Sequence, residues 1–85
     1  MAAQKHRERA MLMAAPTGVV SLPRLRAARE ARLITQEELA QKAGVSRFTV
    51  ARTERGEPAR YSTVRKLAEA LEVEPATLMA PSTSA

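Results

Sequence analysis

The stretch QEELAQKAGVSRFTVARTERG, residues 36–56, contains two runs of helical character separated by one glycine. In the first run Leu39, Ala40 and Ala43 share a face at helical spacing. Thr35 stands before Gln36-Glu37-Glu38, an order that makes a capping box: the Thr35 hydroxyl accepts from the Glu38 amide, and the Glu38 carboxylate accepts from the Thr35 amide. The pattern predicts a helix over about residues 36–43. Gly44 ends it, because glycine takes a positive φ without a side-chain clash. Ser46 then caps a second helix over about residues 46–55, with Val50 and Thr53 inward, and Gly56 ends that helix in turn.

The flanks read as three more short helices. Leu22-Pro23 opens the first, over about residues 23–32, with Leu25 and Ala28 at helical spacing and Pro23 suited to a first turn. Residues 56–61, GEPARY, read as a loop, with Tyr61 anchoring it on the following helix. Ser62 caps that helix, over about 63–71, and Val64, Leu67, Ala68 and Leu71 form its stripe. Pro75 starts a last helix over about 75–79, offering Leu78 and Met79. The fold class is therefore all-α: a compact five-helix domain over residues 22–79. Residues 1–21 form an N-terminal extension in which QKHRERAMLMAA reads as a short helix, broken at Pro16-Thr17-Gly18, and β-prone GVVSL as an extended arm. Residues 80–85 form a polar tail, expected to be disordered.

Composition excludes several functions. The 85 residues hold no cysteine and no aspartate, and a single histidine, His6, reads as a solvated surface residue. No disulfide or thiolate metal site can form, and a catalytic triad or a His/carboxylate metal site lacks its parts. We therefore expect no enzyme, no metal and no small-molecule cofactor. The longest early apolar run, Ala10–Ala15, is too short to cross a bilayer and lacks the core of a signal peptide, so a cytoplasmic protein is expected. The net charge of +5 is uneven: residues 23–66 hold eleven Lys or Arg against five Glu, and residues 67–85 hold three Glu and no Lys or Arg. A basic middle suits a polyanion, usually nucleic acid.

The glycine has a purpose in this setting. Gly44 lets the chain reverse, Ala40 is small where the next helix crosses, and Val45 and Val50 lock the two together. This is a helix-turn-helix arrangement, two helices at about 90–120°. It holds the helix at 46–55 proud of the surface, so that its outer side chains can enter a DNA major groove. Arg47, Phe48 and Arg52 then point outward because their partner is another molecule. Arginine grips guanine O6 and N7 with two hydrogen bonds, and phenylalanine can lie on a thymine methyl.

Four pieces carry a resemblance to a known family: LRAAR in the first helix, TQEELAQKAGVS through the turn, ERG after the outward helix, and TVRKLAEALEVEPATLM in the last two helices. Residues 22–79 resemble the Cro/phage-repressor, or XRE, helix-turn-helix family. The resemblance implies that Gln36 contacts a phosphate and buttresses the recognition helix. It implies that Arg47, Phe48 and Arg52 read bases, that Ser46, Thr49, Arg55 and Arg60 touch the sugar-phosphate backbone, and that Arg29 and Glu54 pair inside the fold. Three positions depart from the family pattern. Thr53 replaces a larger aliphatic residue, which predicts looser packing. Leu33 and Glu72 replace glycines, which predicts helix ends that close differently. The function implied is a transcriptional regulator of repressor type that binds double-stranded DNA sequence-specifically. It would act as a homodimer on a near-palindromic operator, joined either through Leu78 and Met79 or through the extension, where GVVSL could pair as a strand and Met11, Leu12 and Met13 could cover a partner. The alternative is a protein-interaction module with the same fold, an antitoxin or an adaptor to the transcription machinery. Its protein partner would be held through residues 1–21 and the acidic end.

Overall fold

The computed structural model describes residues 18–80. They form a short strand β1 (Val19–Val20), helices α1 (Leu25–Ala31), α2 (Gln36–Ala43) and α3 (Arg47–Glu54), a strand β2 (Ala59–Arg60), and helices α4 (Tyr61–Leu71) and α5 (Pro75–Met79). The proposed N-terminal helix, with His6, Met11, Leu12 and Met13, and the tail over 81–85 lie outside the described residues.

One core joins all five helices. Leu22, Leu25, Leu39, Val50, Leu67, Leu71 and Leu78 are fully buried, so every helix contributes at least one side chain. Each such side chain stabilises the fold by about 1.5–3 kcal/mol. The longest helix, α4, lies at the centre with Val64, Leu67, Ala68 and Leu71 buried along one stripe. Leu78 therefore belongs to the core and not to the surface on which an intersubunit contact was expected. Met79 beside it stays exposed.

The caps fix where α2 and α3 begin. Thr35 Oγ1 accepts from the Glu38 amide at 3.0 Å, and Glu38 Oε1 accepts from the Thr35 amide at 2.8 Å. Gly44 closes α2 at φ 73°, and the Val45 N–H donates to the Ala40 carbonyl at 3.0 Å, which reverses the chain toward α3. Ser46 Oγ accepts from the Thr49 amide at 3.1 Å and starts α3.

The structure corrects four expectations. First, GVVSL is no free arm: Val19 pairs with Arg60 and Val20 with Ala59 in an antiparallel ladder, which joins residues before Leu22 to the packed helices. Second, Ser62 is not a cap. Tyr61 is the first residue of α4, and its N–H donates to the Gly18 carbonyl at 2.8 Å, so the strand pair does what a capping hydroxyl would do. Tyr61 is thereby a half-exposed helix residue and not a loop anchor. Third, α1 starts at Leu25, two residues beyond the start expected at Pro23. The Arg24 N–H is drawn to the Leu78 carbonyl at 3.2 Å, which ties the entry of α1 to α5. Fourth, Leu33 and Glu72 close their helices in the left-handed region that glycine usually occupies, at φ 58° and 59°. The Val73 N–H reaches the Ala68 carbonyl at 3.0 Å, the bond that Val45 makes to Ala40. Each costs about 1–2 kcal/mol relative to glycine. The side chains of Arg32 and Glu72 approach to 3.9 Å and link the two corners.

Candidate nucleic-acid interface

The position of α3 is set from behind by a buried ion pair. Arg29 on α1 donates from Nε to Glu54 Oε2 at 2.6 Å and from Nη2 to Glu54 Oε1 at 3.2 Å. Its Nη1 donates to the Ile34 carbonyl at 2.8 Å. The two side chains are 12% and 4% exposed. The hydrogen bond to Glu54 raises the Arg29 pKa above its ordinary value, outweighing the burial that opposes the charge; the charges of Glu54 and Glu30 add to the rise. One guanidinium thus fastens α1, the α1–α2 corner and the end of α3.

Gln36 completes this group. Its Nε2 donates to Glu54 Oε1 at 3.0 Å. A carboxylate accepts only, so this contact fixes which way the Gln36 amide faces. One N–H points to Glu54, and the second N–H and the carbonyl remain for a partner. Gln36 is the first residue of α2, so the same side chain bridges the start of α2 and the end of α3.

The helix itself is held at its other end by hydroxyls. Ser46 Oγ and Thr49 Oγ1 lie 2.9 Å apart and share one hydrogen. Between them one O–H remains free to donate, for example to a phosphate oxygen. Thr53 is buried, and its Oγ1 donates to the Thr49 carbonyl at 2.7 Å. The expected loosening at Thr53 is not visible as an orphaned group: among the described residues every buried side-chain N or O has a partner.

Forward of this frame, α3 forms a ridge between two clefts. On one side Gln36, Arg47, Phe48, Ala51 and Arg55 line a cleft of about 310 Å³. On the other, Thr49, Arg52, Glu57, Arg60 and Thr63 help line one of about 440 Å³. The DNA-binding residues expected from the sequence are thus gathered around one helix but divided between its two flanks. Ser46 sits at the tip, and Arg29 and Glu54 stand behind. Phe48 is 79% exposed. Arg47, Arg52 and Arg60 make no ion pair with any described residue, whereas Arg55 lies 3.7 Å from Glu57. Such unneutralised guanidiniums suit phosphates and guanine edges.

Sequence reasoning missed Ala51, Glu57 and Thr63. Ala51 follows Arg47 by four residues and Phe48 by three, so helical spacing could have shown it as the floor between them. Glu57 is held beside Arg52 locally, its N–H donating to the Arg52 carbonyl at 3.1 Å just past the end of α3, whereas Thr63 comes to α3 only after β2 folds the connection back.

Residues 25–78 match a helix-turn-helix family model. The structure is similar to the restriction-modification controller protein C.AhdI from Aeromonas hydrophila, with a TM-score of 0.63 and 41% identity over 65% of this chain and 85% of that one. It is also similar to the hypothetical transcription factor NHTF from Neisseria, with a TM-score of 0.62 and 34% identity over 67% of each chain. No curated protein matches the chain.

Proposed function

The chain belongs to the XRE-type helix-turn-helix family, and we propose that it regulates transcription by seating α3 in the major groove of a specific double-stranded DNA site. The observation that supports this most is the contrast between the two faces of α3. Its rear is pinned by Arg29, Glu54 and Gln36, while Arg47, Phe48 and Arg52 stand exposed with no partner among the described residues. A rigid frame behind unsatisfied donors is what readout of base edges requires, because a misplaced donor earns no discrimination. The two similar structures named above point the same way: one is a restriction-modification controller protein and the other is called a hypothetical transcription factor.

In this reading Arg47 and Arg52 grip guanine edges, and Phe48 supplies apolar contact. Gln36, Ser46, Thr49, Arg55 and Arg60 hold the sugar-phosphate backbone and set the register. One recognition helix reads only a few base pairs, too few to find a site among a genome's competitors. Two copies are therefore proposed, on a near-palindromic operator, with recognition helices about 34–36 Å apart or a multiple of that. With Leu78 buried, Met79 is the apolar side chain that the C-terminal surface offers to a second copy. No helix among the described residues is long and apolar enough to cross a membrane, and the proposed site of action is the cytoplasm.

Selection of bound fragments from random duplex DNA, followed by a salt titration, tests the proposal. Selective binding should appear, and its logarithm should fall with the logarithm of salt by about 0.9 per phosphate neutralised. An absence of binding at low salt would favour the protein-interaction module instead.

A further inference from the structure

A phenyl ring 79% exposed beside three arginines is unfavourable in water, and nothing among the described residues covers it. It has no hydrogen-bonding atom, so it cannot tell base edges apart by their donors and acceptors. In the major groove it can sense only apolar surface. The bases present one such group there, the C5-methyl of thymine. A cytosine methylated at C5 carries the same methyl at the same place. It differs in offering an N4 donor where thymine offers an O4 acceptor, and a phenyl ring is blind to that difference.

The neighbours of Phe48 supply the second half of a site. Arg52 follows it by four residues, one turn further along the same ridge, and lines the opposite cleft, while Arg47 and Arg55 line the cleft that Phe48 borders. One helical turn rises about 5.4 Å and one base step about 3.4 Å. A guanine gripped by Arg52 therefore lies one or two base pairs from the methyl under Phe48. Resting on the placement of α3 in the major groove, we infer that Phe48 and Arg52 together read a C5-methylpyrimidine beside a guanine, so that methylation of cytosine at that position of the operator strengthens binding. The protein would thereby respond to the modification state of its DNA as well as to its sequence.

The test uses the duplex obtained by selection and the full chain, with affinities measured at one salt concentration. Each thymine is replaced singly by deoxyuridine, which removes only the methyl. At the same positions cytosine and 5-methylcytosine are compared, each paired with guanine. At one position in each half-site, uracil should bind about three- to fivefold more weakly than thymine, the transfer value of a single buried methyl. There 5-methylcytosine should bind more tightly than cytosine by a similar factor. Both ratios should fall to one in Phe48→Ala, whose substitution touches an exposed side chain. Selective binding with ratios of one at every thymine would overturn the inference while leaving the DNA reading intact. Ratios that persist in Phe48→Ala would overturn it as well. A failure to bind any duplex selectively would remove both the inference and the reading on which it rests.

Discussion

Arg29 and Glu54, twenty-five residues apart in sequence, meet at 2.6 Å with Glu54 almost wholly buried. Removing one member of such a pair leaves an uncompensated charge and typically costs about 3–5 kcal/mol. We expect Arg29→Met to lower the unfolding free energy by that amount, measured by urea denaturation. The double change Arg29→Met with Glu54→Leu should recover most of the loss, because no lone charge stays behind. It should still weaken DNA binding, since Gln36 loses the acceptor that orients it. The sign of the Arg29 shift also fixes its pH behaviour. A raised pKa gives stability that is complete below the unfolded value and lost only as pH climbs through the folded one. Both lie above neutral and mildly alkaline conditions, so Arg29 titration should leave stability flat there. A single variant as stable as the parent would contradict the frame described for α3.

Arg52 and Arg55 should separate readout from anchoring. A two-pronged guanine contact is worth about 1–3 kcal/mol of discrimination, so Arg52→Ala should lose specific affinity by that amount and random-DNA affinity much less. Arg55→Ala should weaken all duplexes alike and make the salt slope shallower by about one unit. Equal losses on specific and random DNA for Arg52→Ala would turn it into a backbone contact.

The strand pair allows a prediction about truncation. Removing residues 1–20 deletes β1 and the Gly18 carbonyl that satisfies the Tyr61 N–H. Compared with removal of residues 1–17 alone, this should cost about 0.5–1.5 kcal/mol for each hydrogen bond lost. Calorimetry of the two truncated chains should show a clear difference in melting temperature. Identical melting would mean that the ladder contributes nothing.

Leu33 is 91% exposed at φ 58°, so its side chain adds little packing while its backbone is strained. Leu33→Gly should relieve about 1–2 kcal/mol of that strain. Against this stands about 0.5–1 kcal/mol for the greater freedom of an unfolded glycine. The net result should be a small rise in melting temperature. A fall would show that the exposed leucine has a contact of its own.

Where local chemistry determines an element, the sequence was readable. The Thr35 capping box, Gly44, Ser46 and the Val64–Leu71 stripe each act within a few residues, and the helices they define lie close to the spans expected. Misreadings came where distant groups decide. Ser62 looked like a cap because the Gly18 carbonyl, far away in the chain, could not be foreseen as the partner of Tyr61. Two-residue strands such as Val19–Val20 are too short to show a period. Leu33 and Glu72 were expected to close their helices differently because glycine was absent, yet both occupy the left-handed region that glycine usually fills. In the interface, residues on α3 itself followed from helical spacing. Thr63 did not, since its place beside Arg52 follows the β2 pairing, and Glu57 was missed although it is held locally by the Arg52 carbonyl.

The central claim is that α3 lies in the major groove of a specific duplex, and interference by methylation of guanine N7 tests it most directly. N7 projects into that groove and is one of the two atoms an arginine grips. On the selected site, methylated guanines should block binding in two clusters, one per half-site, centred about 10–10.5 base pairs apart or a multiple of that. Selective binding untouched by N7 methylation, or blocked only from the minor-groove side, would contradict it.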